Sequence, residues 1–260
     1  MTKVAILGCG WLGLPLAKTL LKNDCIVNGS TTTAGKTKTL SALGINVFQI
    51  NLEQQSSNLD AFLNVEELII TIPPKAENYA QLIADLIPKI KASTIKRVTY
   101  TSSISVYGNA SGIITEETDT NPLRESVKQI IEVEQLLLNN KSFSTNIFRL
   151  GGLIGAGRHP AYHISGKQLK TSNDLINLIH LEDCIAVIKQ LLKTSTTNNI
   201  FNIVNPYHPS KATYYTTCCQ FLKLPPPIIT DNSKSNLKEV SSEKISTLLN
   251  YQFKNNLILS

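Results

Sequence analysis

Three glycines near the start of the sequence have a spacing that suits phosphate binding. Gly8, Gly10 and Gly13 form a G-x-G-x-x-G pattern after a short apolar run, and an apolar-periodic segment and a second apolar run follow. This order is that of a βαβ unit, the context in which the pattern is informative. The pattern predicts a site for the pyrophosphate of a dinucleotide, which would face the N–H groups of Trp11 and Leu12 at the start of the helix. The alternative is an ordinary glycine-rich βα turn.

The residues that follow the second apolar run indicate which dinucleotide would bind. In NAD sites an acidic residue about 20 positions beyond the glycines accepts the ribose 2′-hydroxyl. This chain instead has Ser30, Thr31 and Thr32 there, followed by Lys36. Hydroxyl and ammonium groups suit a 2′-phosphate, so NADP is predicted as the cofactor, with NAD possible.

The elements that must position these residues alternate along the first 150 residues. Short apolar strands separated by helices predict an α/β fold, a Rossmann-type doubly wound parallel sheet with a small C-terminal substrate-binding part. We expect a dinucleotide-binding domain over 1–150, rejoined by 178–204, and a smaller substrate-covering part over 151–177 and 205–260. Among the predicted elements are strands at 45–50, 67–72, 96–102, 145–150 and 199–204, and helices at 76–91, which Pro88 should kink or shorten, 123–138, 181–192 and 210–222.

Composition narrows the class of protein. The chain has 260 residues, 42% of them hydrophobic and 17% charged, which is typical of a globular protein. Its net charge of +6 is scattered, so a nucleic-acid surface is not expected. The five cysteines and the histidines lack metal-ligand spacing, so no metal site is predicted. No apolar run approaches the ~20 residues of a membrane span, and we expect no signal peptide, a cytoplasmic location, and a monomer or homodimer.

Three later segments, with the glycines, resemble the extended short-chain dehydrogenases/reductases, the epimerase and dehydratase family. Residues 100–108 (YTSSISVYG) are similar to its T-S-S-x-x-V-Y-G, 149–158 (RLGGLIGAGR) to its R-x-x-x-x-Y-G-P-G-R, and 179–183 (IHLED) to its H-V-D-D. Within that family, GWLGLPLA at 10–17 and GRHP at 157–160 resemble a subgroup of bacterial proteins regarded as NAD(P)-binding epimerases. The resemblance implies an NAD(P)-dependent oxidoreductase or epimerase.

The family's catalytic Tyr and Lys, four residues apart on the helix after the fifth strand, have no counterpart in this alignment. Ser126 stands at the Tyr position and Ile130 at the Lys position. Lys128 would point away from the site if Ser126 faces it. The literal Y-x-x-x-K at 207–211 contains a proline and follows a late strand, so it is interpreted as a coincidence.

The remaining candidates for chemistry come from the same motifs. Ser103 aligns with the family's residue that hydrogen-bonds the reacting oxygen, and Tyr107 could supply a phenol; either could instead be structural. Arg158 and His159 follow a glycine-rich turn and could bind an anionic substrate, or form a structural loop. At strand ends, where open α/β sheets place ligands, three further residues are predicted to contact the cofactor: Thr71, Pro73 and Ser102.

These residues favour one reaction over its alternatives. A phenol without a neighbouring Lys keeps its ordinary high pKa, so Tyr107 would donate a proton better than remove one. We therefore expect NADPH-dependent reduction of a small or nucleotide-linked carbonyl substrate. The alternative is a non-catalytic NAD(P)-binding sensor or scaffold.

Overall fold

The computed structural model describes residues 1–54, 58–155, 157–230, 235–254 and 257–258. Its main feature is a seven-stranded parallel sheet. Together with the short strands outside this sheet, the strands are, in chain order, β1 (Lys3–Leu7), β2 (Ile26–Thr31), β3 (Asn46–Gln49), β4 (Glu67–Ile70), β5 (Arg97–Ser103), β6 (Gly112–Ile114), β7 (Ser144–Leu150), β8 (Gly152–Ile154), β9 (Gln168–Leu169), β10 (Leu178–His180), β11 (Asn199–Ile203), β12 (Ile228–Ile229) and β13 (Lys238–Val240).

Helices separate most of these strands. They are α1 (Gly13–Leu21), α2 (Thr37–Ser41), α3 (Leu59–Phe62), α4 (Tyr79–Lys91), α5 (Glu125–Leu138), α6 (Ala161–Ile164), α7 (Leu181–Leu191), α8 (Lys211–Phe221) and α9 (Glu243–Leu249), with 3₁₀ turns at Ala34–Lys36 and Ile104–Tyr107.

The order of strands confirms the predicted fold class. In the sheet they run β11-β7-β5-β4-β1-β2-β3, so β1 lies between β2 and β4. Val4 of β1 pairs with Val27 on one side and Glu67 on the other. The chain leaves β1 in one direction to build β2 and β3, and builds β4 and β5 on the other side. Such a reversal is the switch point at which doubly wound folds bind ligands. Of the segment 178–204 that was expected to rejoin the dinucleotide-binding domain, β11 joins the main sheet, whereas β10 pairs with β8 in a separate two-stranded sheet.

Apolar patterning explains why the central strands and helices form where they do. Val4, Ala5 and Ile6 are fully buried, as expected for a strand covered on both faces. In α4 the buried face recurs at helical spacing and includes Ile83, Leu86 and Ile90, although Pro88 lies within it.

Pro88 was expected either to kink or to shorten α4, and it does not shorten the helix. The helix continues to Lys91, and the backbone N–H of Ala92 donates to Pro88 O at 3.1 Å. Proline has no backbone N–H, but its carbonyl oxygen can still accept a hydrogen bond from the next turn of the helix.

The chain forms two compact units. The first comprises Met1–Ser102, Arg124–Phe148 and Leu192–Ile200, and the second comprises Ser103–Leu123, Arg149–Leu191 and the residues from Phe201 onward. The described residues of the second unit form three pairs of short parallel strands, β8 with β10, β9 with β12 and β6 with β13. In the described part of the chain, no helix is both long and apolar enough to cross a membrane.

Candidate functional site

The glycine-rich loop leads from β1 into α1 at the switch point. Gly8 has a φ of +107°, a conformation that favours glycine. Its N–H donates to the hydroxyl oxygen of Ser30 at 2.8 Å, and the N–H of Cys9 donates to the carbonyl of Ser30 at 2.8 Å. No side chain caps the start of α1, and its first turn contains no acidic residue. Leu14 and Leu16 already donate their N–H groups to Gly10 O and Leu12 O, and Pro15 has none. The N–H groups of Leu12 and Gly13 therefore remain for an anion.

The three glycines meet different surroundings, which tests whether a pyrophosphate fits. A Cβ on Gly10 would meet no atom within 4 Å, so the space in front of this backbone is open. A Cβ on Gly13 would lie 2.1 Å from the carbonyl oxygen of Gly8, and one on Gly8 would lie 2.8 Å from Cγ2 of Ile72. Gly13 and Gly8 are thus required by packing, whereas Gly10 borders open space. This arrangement fits a phosphate group beside Gly10.

Two predicted cofactor residues support the loop with their side chains. Thr71 follows β4, and its hydroxyl donates to Gly8 O at 2.7 Å. Ser30 is 2% exposed, and its hydroxyl oxygen accepts the Gly8 N–H. The structure thus gives the two hydroxyls a role in holding the loop, and does not support the predicted direct contact of the Ser30 hydroxyl with the cofactor.

The other predicted cofactor residues of the first unit differ in exposure. Thr31 is buried at the end of β2 and accepts the N–H of Thr33 at 3.2 Å. Thr32, Lys36 and Pro73 are exposed.

Ser102 is buried, and its hydroxyl donates to the carboxylate of Glu134, itself buried on α5. The proton of the Ser102 hydroxyl is therefore committed to Glu134 rather than presented to a ligand.

Ser103 ends β5 and starts the 3₁₀ turn Ile104–Tyr107. Its hydroxyl oxygen accepts the N–H of Ser105 at 3.1 Å, which fixes the side chain as the cap of the turn. Among the described residues the hydroxyl proton has no acceptor, and the side chain is partly exposed. Ser103 can therefore donate a hydrogen bond to a substrate oxygen.

Tyr107 lies at the end of the same turn but is fully buried. Its hydroxyl donates to Oδ1 of Asn202 at 2.7 Å and accepts from Nη1 of Arg149 at 3.0 Å. The guanidinium of Arg149 also lies 5.0 Å from the centre of the phenol ring. Burial raises the pKa of Tyr107, against the opposing effect of Arg149. The structure does not support the predicted catalytic role, because the only proton of the phenol is given to Asn202 in the interior.

A structural role for Tyr107 leads to a stability prediction. Tyr107→Phe removes the donor to the buried carbonyl of Asn202, so we expect a loss of about 1–3 kcal/mol in the free energy of unfolding. Urea denaturation would measure it. Tyr162→Phe, at a tyrosine that is 59% exposed, is the matched control and should change stability little. An equally small effect of Tyr107→Phe would contradict this role.

Helix α5 corresponds to the helix that carries the catalytic Tyr and Lys in the family that the sequence resembles. Here Ile130 is buried on its apolar face. Lys128 is 60% exposed and forms an ion pair with Glu125 at 2.9 Å. In the second unit, the lysine of the literal Y-x-x-x-K, Lys211, forms an ion pair with Asp174 at 2.9 Å. Neither lysine has a tyrosine partner in these contacts.

The two residues predicted to bind substrate differ in their surroundings. Arg158 is exposed and forms an antiparallel bridge with Gly155 in a tight turn. His159 is 4% exposed and stacks on Tyr214, with ring centres 6.2 Å apart. Its Nδ1 accepts the N–H of Ala161 at 3.2 Å, and burial lowers its pKa. The structure therefore does not support substrate contact by His159, whose ring packs in the core of the second unit.

Sequence reasoning missed three residues around these sites, Glu134, Asn202 and Lys238. Asn202 stands inside the apolar run of β11. This was a weak signal in the sequence, because a buried polar side chain needs a hydrogen-bond partner. Glu134 and Lys238 gave no local signal. As for metals, the described residues contain no group of three or more His, Cys, Asp or Glu side chains that could hold an ion.

Comparison with known sequences decides the family. No protein-family model matches the chain. The protein YeeZ of Escherichia coli (strain K12) is 36% identical over 263 residues, covering 97% of this chain and 96% of YeeZ. The chain belongs to the YeeZ family.

Solved structures show that the fold of this YeeZ family member is shared widely. A functionally unknown conserved protein from Silicibacter pomeroyi DSS has a TM-score of 0.85 at 20% identity, covering 100% of this chain and 96% of that chain. UDP-glucuronic acid 4-epimerase from Bacillus cereus, in complex with NAD, has a TM-score of 0.82 at 19% identity, covering 99% and 93%. At such identities the likeness concerns the fold, which is that of the epimerase and short-chain dehydrogenase/reductase proteins, as the motifs implied.

Proposed function

We propose that the protein binds NADP at the glycine-rich loop and uses NADPH to reduce a small or nucleotide-linked carbonyl compound. The observation that carries this proposal is the open space at Gly10 beside the uncapped start of α1. A structural neighbour of this fold was solved with NAD, which supports a nicotinamide dinucleotide as the ligand. Bound NADPH would supply the hydride.

The end of β2 supports NADP over NAD. Residues 30–38 contain no carboxylate that would repel a 2′-phosphate, while Thr32 and Lys36 are exposed there. An ammonium group in this place would form a charge-assisted hydrogen bond with the phosphate.

We expect Lys36→Ala to weaken NADPH binding by about three- to tenfold, the size of a partly exposed charge-assisted contact. NADH binding should not change, because NADH lacks the 2′-phosphate. Fluorescence titration of both nucleotides would show this, with Lys22→Ala, at another exposed lysine of the first unit, as the control. Wild-type protein that binds NADH as tightly as NADPH would refute the preference.

Ser103 is proposed to orient the substrate carbonyl. Because the N–H of Ser105 holds the Ser103 oxygen at 3.1 Å, the hydroxyl proton can point to the substrate at little entropic cost. The proton that completes the alcohol would come from solvent, since the phenol of Tyr107 is buried. Oxidation and epimerisation both begin by removing a proton, and neither the Ser103 hydroxyl nor the buried Tyr107 phenol is a base suited to that step. Reduction is therefore the favoured direction.

The test is NADPH consumption over a panel of aldehydes, ketones and imines. With any substrate that turns over, Ser103→Ala should lower kcat/KM by about 100-fold, the usual effect of removing a donor to a developing oxyanion. Ser105→Ala keeps the backbone N–H that holds Ser103 and should retain most activity. Turnover that Ser103→Ala leaves unchanged would refute the assignment.

A second candidate is a non-catalytic NADP-binding sensor or scaffold. It is favoured by the burial of Tyr107 and by the apolar Ile130 on α5. Tight NADPH binding with no turnover across the panel would support this candidate and refute the reductase.

A further inference from the structure

A lysine from the C-terminal part of the chain contacts the turn that starts at Ser103. Strand β13 pairs in parallel with β6, with Lys238 opposite Gly112. The Lys238 ammonium donates to the carbonyl oxygen of Gly108 at 2.9 Å, and the Asn236 amide donates to the carbonyl of Asn109 at 3.4 Å. All of these residues belong to the second unit. Two polar side chains of one segment thus face the end of this turn.

The Lys238 ammonium has hydrogen-bonding capacity left over. It carries three N–H donors, and the described contacts use one of them, for Gly108. The side chain is half-buried, and burial lowers its pKa with no carboxylate contributing. Asp174, the acid that contacts this segment, accepts the N–H of Asn236 at 2.8 Å and is paired with Lys211. Among the described residues, no ion pair neutralises Lys238.

The turn sets the separation between this lysine and the proposed reacting centre. Ser103 and Gly108 are five residues apart, and Ile104–Tyr107 between them is a 3₁₀ helix. At a rise of roughly 2 Å per residue, the two ends of the turn are about 10 Å apart. A substrate that spans this distance could place its carbonyl at Ser103 and a second group at Lys238.

We propose that Lys238 binds an anionic group of the substrate, a carboxylate or a phosphate, about 10 Å from the carbonyl that Ser103 orients. This inference rests on the proposed function, because it takes Ser103 as the reacting end. An oxyanion would supply the counter-charge that the chain does not, and each oxygen can accept one of the remaining ammonium protons. The substrate class is then narrowed to anionic carbonyl compounds.

Anion binding can be measured without any turnover. The protein would first be saturated with NADP, so that the phosphate sites of the loop are filled, and then titrated by calorimetry with succinate and with inorganic pyrophosphate. We expect one of the two probes to bind, which identifies the carboxylate or phosphate class. Lys238→Met should weaken that binding by about tenfold or more, as expected for a lost charge-assisted hydrogen bond. Lys238→Arg, which keeps the charge, should restore much of it.

The control is Lys167→Met, which removes the same charge from an exposed position of the same unit and should leave binding unchanged. If Lys238→Met does not fold, Lys238→Gln takes its place. Equal affinities in the Lys238 variants and wild type, or no binding of either probe to wild type, would overturn the inference. A protein that does not take up NADP would refute the proposed function instead, and the same titration without nucleotide would still decide the role of Lys238.

Discussion

Gly10→Val should weaken NADP binding by at least about 100-fold, a loss of roughly 2.7 kcal/mol in binding free energy, without changing stability. The reason is that a Cβ at Gly10 would meet no protein atom within 4 Å, so the side chain would extend into the open space in front of the helix start. That space is where the pyrophosphate is proposed to lie. Calorimetric titration with NADP and thermal unfolding of the same preparation would measure the two effects.

The control for that variant is Gly10→Ala, whose smaller side chain should weaken binding less and leave the unfolding midpoint equally unchanged. An undiminished affinity in Gly10→Val would show that the dinucleotide does not pass this backbone. A large fall in its stability would show that Gly10 is needed for the fold.

Gly13→Ala should have the opposite pattern, with a loss of about 1–3 kcal/mol or more in the free energy of unfolding. Its Cβ would lie 2.1 Å from the backbone oxygen of Gly8 and 3.0 Å from Oγ1 of Thr71. Backbone cannot yield as a flexible side chain can, so α1 must move away from β1. In an unconstrained helix the same change would be stabilising by up to about 1 kcal/mol, because alanine is the better helix former. The sign of the effect therefore reports the packing.

Denaturant unfolding of Gly13→Ala beside Gly10→Ala separates these two predictions. The two variants add the same methyl group three residues apart in one loop. A stability of Gly13→Ala equal to or above that of wild type would contradict the close approach of α1 to the Gly8 carbonyl.

Much of the first unit follows from local sequence. The predicted strand at 67–72 is observed as Glu67–Ile70, and the predicted helix at 123–138 as Glu125–Leu138. These elements are marked by apolar runs or helical periodicity over enough residues to be read without knowledge of the tertiary fold. The glycine pattern and the apolar runs around it likewise predicted the βαβ unit, which is observed as β1, α1 and β2.

The small sheets of the second unit could not be predicted in this way. Strands β6 and β13 have three residues each and lie more than a hundred positions apart. Neither is long enough for its sequence pattern to indicate which strand it pairs with. Their pairing brings Lys238 to Gly108. A contact that depends on such a distant pairing leaves no trace in the local sequence.

Burial, rather than residue type, limits what the predicted site residues can do. Tyr107 was predicted as a source of a phenol and His159 as a binder of an anionic substrate, each with a structural role as the alternative. The structure places the Tyr107 hydroxyl between Asn202 and Arg149, and packs His159 against Tyr214. Ser103 keeps an available proton because only its oxygen is used, by Ser105. The position of a residue within a motif does not by itself show whether its side chain is buried and hydrogen-bonded or available to a ligand.

Native mass spectrometry tests most directly whether this chain holds a dinucleotide at its glycine-rich loop, as proposed. Wild type and Gly10→Val would be incubated with NADP and measured side by side. The proposed site predicts a mass increase of one NADP per chain for wild type and none for the variant. A wild-type protein that gains no dinucleotide, or a variant that gains as much as wild type, would contradict the claim.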